Sequence, residues 1–390
     1  MLGYRLKMNH IEPISCSKHT RDPLFDITKA LMMLWVIWGH FSRWGVVAGP
    51  LEPSPYMART KILLNMPVFF VIGGYLSLST FRKGIWPKII ARIVGFLWPM
   101  ATFGLVFALV IVLLQGWHGW HWLVLYPVKQ VIYGHWFLRT FSAIYLLSAI
   151  VYRCFPNDRF RLLGFASILG VLLFWPSRFK SELLLLGGSQ TLYMLPFFIF
   201  GLIFLRRLPF WRSSRFALPC AAFVFAVVLL EGDSFAFRMN FWNAPSYWQD
   251  ILLEPLNLLA FFGRTLVGVS GTVSILWCVD RLLRSIPRLA NFAVFGTTTL
   301  GVYILHEWPL IQLGKTGLPF LPLIRWSRYP LALGWFLLCH FVIVGIRHIQ
   351  ILRIIFFGDE QWLASLIRDI NGIFRHYVKF VKIRRIGKGI

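Results

Sequence analysis

Lys29 and His40 lie eleven residues apart in one apolar stretch, 26-DITKALMMLWVIWGHFSRWG. On a helix that interval is three turns, which puts both side chains on one face, ~16 Å apart along the axis. Ionisable groups inside apolar segments of membrane-spanning length are costly, so each one is informative. Lys29, near the start, reads either as a lysine snorkelling to the interface or as a cation that holds an anion. His40, near the other end, reads either as a histidine satisfied by a neighbouring helix or as a base for a hydroxyl proton. Two further segments bring polar groups to the same level. His135 opens 134-GHWFLRTFSAIY with Arg139 one turn on, and 300-LGVYILHEWPL carries Tyr303, His306 and Glu307. Three histidines on three segments suit proton transfer; with no HxxxH or HxxE spacing, no metal site is indicated. Weaker signals are Trp117, His118, Trp120, His121 and Trp122, expected in an external loop as an aromatic belt or a sugar-stacking platform. Glu254 and Arg264 either pair or line a cavity.

The elements that must position these groups follow from composition. Of 390 residues 57% are hydrophobic and 14% charged, too little polar surface for a soluble domain of this length. The apolar residues come in blocks of about the 20 residues that a spanning helix needs, not in the short alternating segments of a β-barrel. This predicts an all-α polytopic bundle of about ten spans: 27–44, 62–80, 93–114, 135–152, 161–175, 191–205, 216–231, 252–279, 291–311 and 330–346. The net charge of +25 lies in short loops and not on a recognition helix, so nucleic acid is not the expected partner. The expected cytoplasmic loops and termini hold 27 Lys and Arg, and the expected outer loops hold 10. That bias predicts both termini in the cytoplasm. Residues 1–25 read as a polar cytoplasmic leader and 26–350 as the membrane domain. The tail 351–390 reads as a basic amphipathic helix on the anionic leaflet, with Trp362, Leu363, Leu366, Ile367 and Ile370 opposite Arg368 and Asp369. Five cysteines without CxxC spacing indicate neither a disulfide framework nor a zinc site.

Taken in order along residues 22–312, the motifs resemble the acyltransferase-3 family of bacterial membrane O-acyltransferases. The family's first helix places a basic residue, ten others and a histidine after an acidic residue, here Asp26, Lys29, 30-ALMMLWVIWG-39 and His40. The segment 66-MPVFFVIGGYL is similar to its second helix, with Gly73 at a position usually held by serine. The basic loop 82-RKGIWPKIIARIVGFLWP follows, then 135-HWFL and 301-GVYILHEWPL. Of the family's paired arginines Arg92 is present, while the position three before it is Ile89, beside Lys88. Lysine at position 29 is similar to the branch containing fucose O-acetyltransferases, some acting on rhizobial nodulation signals.

The resemblance implies transfer of an acetyl group from acetyl-CoA, with no permanently bound cofactor, to a carbohydrate or lipo-oligosaccharide hydroxyl at a bacterial inner membrane. Arg82, Lys83, Lys88 and Arg92 would hold the CoA phosphates beside Lys29 and Asp26. His40 would act as general base or transient acyl carrier, Arg139 or Tyr303 would stabilise the oxyanion beside His306, and His135, Trp136 and Glu307 would contact the acceptor. The chief rival is a transporter or flippase for a glycolipid, which also carries intramembrane charge but should show matching broken helices in two halves. A sensor or scaffold would leave the polar layer unexplained.

Overall fold

Long apolar runs have no water to satisfy their backbone groups and must close hydrogen bonds within themselves. The computed structural model, described for residues 22–43, 64–84, 86–115, 120–174, 189–230, 255–315 and 328–358, accordingly has helices and no strand among those residues. In chain order they are α1 (Pro23–Arg43), α2 (Met66–Lys83), α3 (Trp86–Gln115), α4 (Trp120–Tyr133), α5 (Trp136–Cys154), α6 (Asp158–Phe174) and α7 (Ser189–Ile199). After α7 come a π-helical turn (Phe200–Phe204), α8 (Ser214–Leu230), α9 (Pro255–Ser285), α10 (Ala293–Thr297), α11 (Thr299–Lys315), α12 (Arg328–His348) and α13 (Gln350–Phe357).

Within the described residues each expected span overlaps a helix, the ninth the pair α10 and α11, but not all of these helices are of spanning length and hydropathy. Five segments are long and apolar enough to cross a bilayer: Pro23–Phe41, Trp86–Leu113, Trp136–Cys154, Phe261–Ser285 and Tyr329–His348. The pair Pro287–Thr297 and Thr299–Ile311, bent by 59°, makes a sixth if taken as one span. Gln190–Phe204 and Ser214–Leu229 are shorter apolar helices. One expectation is corrected. Trp120 to Trp122 open a helix, α4, and not a loop. Its Leu123–Ile132 portion is a third short apolar helix despite Pro127, and α4 packs closely along α3, where a Cβ on Gly104 would lie 3.0 Å from the Pro127 Cα. The expected leader up to residue 21 and the amphipathic segment 361–390 lie outside the described residues. Just before the latter, α13 lies against α3, with Trp98 Nε1 donating to the Ile355 carbonyl at 2.7 Å and Phe103 packed 4.8 Å from Phe356.

Local signals set the helix ends. The Asp22 carboxylate accepts the Leu24 N–H at 3.0 Å, capping α1 before Pro23. Gly84 closes α2 at φ 59°, its N–H bonded to the Phe81 carbonyl, with Arg82 and Lys83 in the last turn facing the dipole. Packing then relies on small residues, the usual means of close approach between membrane helices. A Cβ on Gly74 would lie 2.1 Å from the Phe198 carbonyl oxygen, and one on Gly201 1.9 Å from that of Val71. These two contacts press α2 onto α7 and the π turn. Gly296 meets the Asp26 carbonyl in the same way, so the end of α10 is pinned to the first turns of α1. Backbone cannot yield to a methyl as a flexible side chain can. Gly201→Ala is therefore expected to destabilise by about 1–3 kcal/mol or more. Gly170→Ala, where a Cβ meets nothing within 4 Å, should be neutral. Thermal unfolding of the two variants in detergent checks this.

The buried side chains form two large clusters, one around α2, α5 and α7 and one around α1, α3, α11 and α12. Trp35, Met66, Phe69 and Phe137 pack against both, which marks the seam between them.

Candidate active site

α1 and α11 bring the polar residues together. His40 and His306 bring their rings together with centroids 5.0 Å apart and planes tilted by 44°. Glu307, next to His306, reaches two imidazoles from other helices: its Oε1 lies 3.9 Å from His40 Nδ1 and its Oε2 3.4 Å from His135 Nδ1. His135 holds this place because it is the residue on which α5 starts, at φ −53°, ψ 82°. His306 is fully buried; its Nδ1 lies 3.0 Å from the Val302 carbonyl, an acceptor, so that nitrogen carries the hydrogen. In the neutral ring Nε2 is then the acceptor, and it has no hydrogen-bond partner among the described residues. α12 anchors the same turn through Trp335 Nε1, which donates to the His306 carbonyl at 3.3 Å. From the other side α3 and α4 brace α11, with Phe107 stacked on Trp308 at 4.5 Å and Trp308 Nε1 donating to the Tyr126 hydroxyl at 3.1 Å.

Tyr303, one turn before His306, is the boundary of this cluster. Its ring centroid lies 5.5 Å from His135, 5.8 Å from His306 and 5.2 Å from Phe137. Arg139 is buried one turn along α5 from His135, within electrostatic reach of Tyr303. On the other side of Tyr303 a cleft of about 150 Å³ follows the seam between the core clusters. Lys29 and Arg92, in the early turns of α1 and α3, line it with Gly73, Phe96 and Phe141, and so do Phe69, Phe137 and Tyr303. Lys29 Nζ holds Asp26 at 2.6 Å, so the cation is fixed by its own helix. Gly73 stands where the resemblance leads one to expect serine, and the reason is steric. A Cβ there would lie 2.3 Å from the Phe141 ring.

The expected residues therefore divide. His40, His135, His306, Glu307 and Tyr303 meet in one cluster with Arg139 beside it, and Lys29, Asp26 and Arg92 sit at the cleft. Arg82, Lys83 and Lys88 are exposed and do not line the cleft. Trp136 packs its ring edge-on to Phe137, 6.2 Å away. Arg264 is buried in α9 with its guanidinium 5.4 Å from the centre of the Tyr193 ring; Glu254 lies outside the described residues. Sequence reading missed the aromatic wall of Phe69, Phe137 and Phe141, though 135-HWFL pointed at one of its members. It also passed over Arg206, which stacks on Tyr75 at 4.5 Å, and the bridge from Arg161 and Arg207 to Asp158. The paired arginines at 206–207 were their only signal.

Chemically, the arrangement offers a carboxylate that orients imidazoles and offsets positive charge as it forms on them. Beside it runs an apolar channel with cations at one end. A family model described as an acyltransferase domain matches residues 23–345, which takes in every residue of the cluster and the cleft. Neither the curated proteins nor the solved structures contain a match.

Proposed function

The chain belongs to this acyltransferase family, and on that premise we propose that it moves an acetyl group from acetyl-CoA to a hydroxyl of a surface carbohydrate or glycolipid. A fucose residue of a lipo-chitooligosaccharide is the narrowest form of this reading, in keeping with lysine at position 29. The protein crosses a bacterial inner membrane about ten times with both termini inside. The observation that carries the reading is the succession along one seam of Lys29 and Arg92, an apolar cleft, Tyr303 and an imidazole–carboxylate cluster.

CoA phosphates meet Lys29 and Arg92, and Arg82 near the same end of the bundle adds to the field. The pantetheine arm lies along the cleft, its thioester reaching Tyr303. His40, with Nδ1 toward Glu307, presents Nε2 to the acceptor hydroxyl and takes its proton. The hydroxyl oxygen attacks the thioester carbon, and the resulting oxyanion is stabilised by Arg139 or the Tyr303 hydroxyl. Collapse breaks the C–S bond, and the departing CoA thiolate recovers the proton from the His40 imidazolium. The new C–O bond completes the ester. The 3.9 Å between His40 and Glu307 closes on acceptor binding, as catalytic hydrogen bonds are often long in empty sites.

Purified protein in detergent should release CoA thiol slowly from acetyl-CoA with water as acceptor. Arg92→Ala should raise KM for acetyl-CoA about tenfold or more with kcat kept, since it removes a charged contact made equally in ground and transition states. A protein that neither binds acetyl-CoA nor releases thiol would fit the transporter reading instead. Mass spectrometry of surface glycans and glycolipids, with and without the gene, identifies the acceptor by an acetyl-sized difference of ~42 mass units.

A further inference from the structure

We propose that Phe137, held between Phe69 and Tyr303, gauges the length of the acyl group that the donor cleft delivers. The inference rests on the acyl-donor reading above and adds a specificity to it.

Among the described residues, none of His40, His135, His306 or Glu307 lines the cleft, whereas Tyr303, which touches two of them, does. What stands between cleft and cluster is a layer of rings. Phe137 lies 5.6 Å from Phe69 and 5.2 Å from Tyr303 between centroids, and Tyr303 in turn touches His135 and His306. These separations are ordinary ring-to-ring contact, which leaves no passage for a chain of methylenes. On the same cleft wall Phe141 is closely set, 5.9 Å from Phe137, 5.0 Å from Phe96 and 5.7 Å from Phe198, with its edge on the bare backbone of Gly73. Phe137 therefore has little room to retreat away from Tyr303.

The acyl group is the leading end of the donor. An acetyl group puts only its carbonyl and one methyl against this layer, and a small ring rotation admits the carbonyl to the far side. Each added methylene must displace a ring into a packed neighbour. Discrimination of about 10–200-fold per methylene is what an apolar pocket achieves. Wild-type protein should thus prefer acetyl-CoA to butyryl-CoA by at least ~100-fold in kcat/KM. Phe137→Ala should cut that ratio to roughly tenfold or less, chiefly by raising turnover of butyryl-CoA. Because both donors are compared on one sample, the ratio is unaffected by how much protein is folded. Phe137→Leu, which removes less volume, serves if Phe137→Ala does not accumulate in the membrane.

The experiment is thiol release from acetyl-, propionyl- and butyryl-CoA by wild-type and variant protein in detergent. A steep wild-type profile that flattens in the variant supports the gauge. A flat wild-type profile, or a steep one that the variant leaves unchanged, overturns it while the acyltransferase reading stands. Thiol release from none of the three donors by wild-type protein overturns both.

Discussion

Replacing His40 with Ala should lower acyl transfer by about 10²–10⁴-fold, the contribution of a positioned general base. The acceptor hydroxyl is a poor nucleophile until its proton has somewhere to go, and His40 is the imidazole that pairs a carboxylate contact on α11 with a place on the helix bearing Lys29. Lys29 and Arg92 at the cleft are untouched by the change. KM for acetyl-CoA should therefore hold while kcat falls, the signature of an interaction made in the transition state. His40 is only partly buried near the end of α1, so membrane insertion and thermal unfolding in detergent should be close to wild type. Acetylation near the normal rate would sink the role of His40. Loss confined to KM would make it a donor contact.

Glu307→Gln carries the second large effect. Its carboxylate lies between His40 and His135, from α1 and from the start of α5, and on the proposed mechanism it orients these rings and offsets the charge that forms when His40 takes the proton. The amide keeps the shape and loses the charge. A fall of roughly 10²–10³-fold in kcat is expected, with Glu307→Asp intermediate because the carboxylate survives but draws back from both rings. Kinetics of the three proteins with acetyl-CoA decide the matter. Were Glu307 only an acceptor contact, Glu307→Gln would raise KM for the acceptor and spare slow hydrolysis of acetyl-CoA by water. That split distinguishes the two roles.

Much of the helical framework was legible because apolar blocks announce themselves regardless of what they pack against. α4 was not legible. Its apolar stretch, Leu123–Ile132, is too short to read as a span and holds Pro127, and its helix is supported by α3 at Gly104. Within the site, the Lys29–His40 spacing could be read along one helix, since a single periodicity fixes it. The position of Glu307 between His40 and His135 could not, because it depends on how three helices cross. The cleft was invisible for the same reason: Gly73 stood out only for the serine it replaces and Phe141 not at all, until the ring is seen lying on the glycine. Arg82, Lys83 and Lys88 were grouped with Arg92 as one basic loop, of which the family pattern matched only Arg92, and Arg92 is the one of the four that lines the cleft.

The contact of Gly296 with the backbone of Asp26 has a mechanical consequence. It ties the first turns of α1, the helix bearing Lys29 and His40, to α10, the short helix that precedes the bend into α11. From Asp26 to His40 is fourteen residues, a lever arm of ~21 Å. Over that arm a tilt of about three degrees displaces the far end by ~1 Å, enough to cost on the order of 10²-fold in rate. On the proposed role of His40, the placing of that ring thus depends on a contact at the opposite end of α1, made by a residue whose side chain is a single hydrogen.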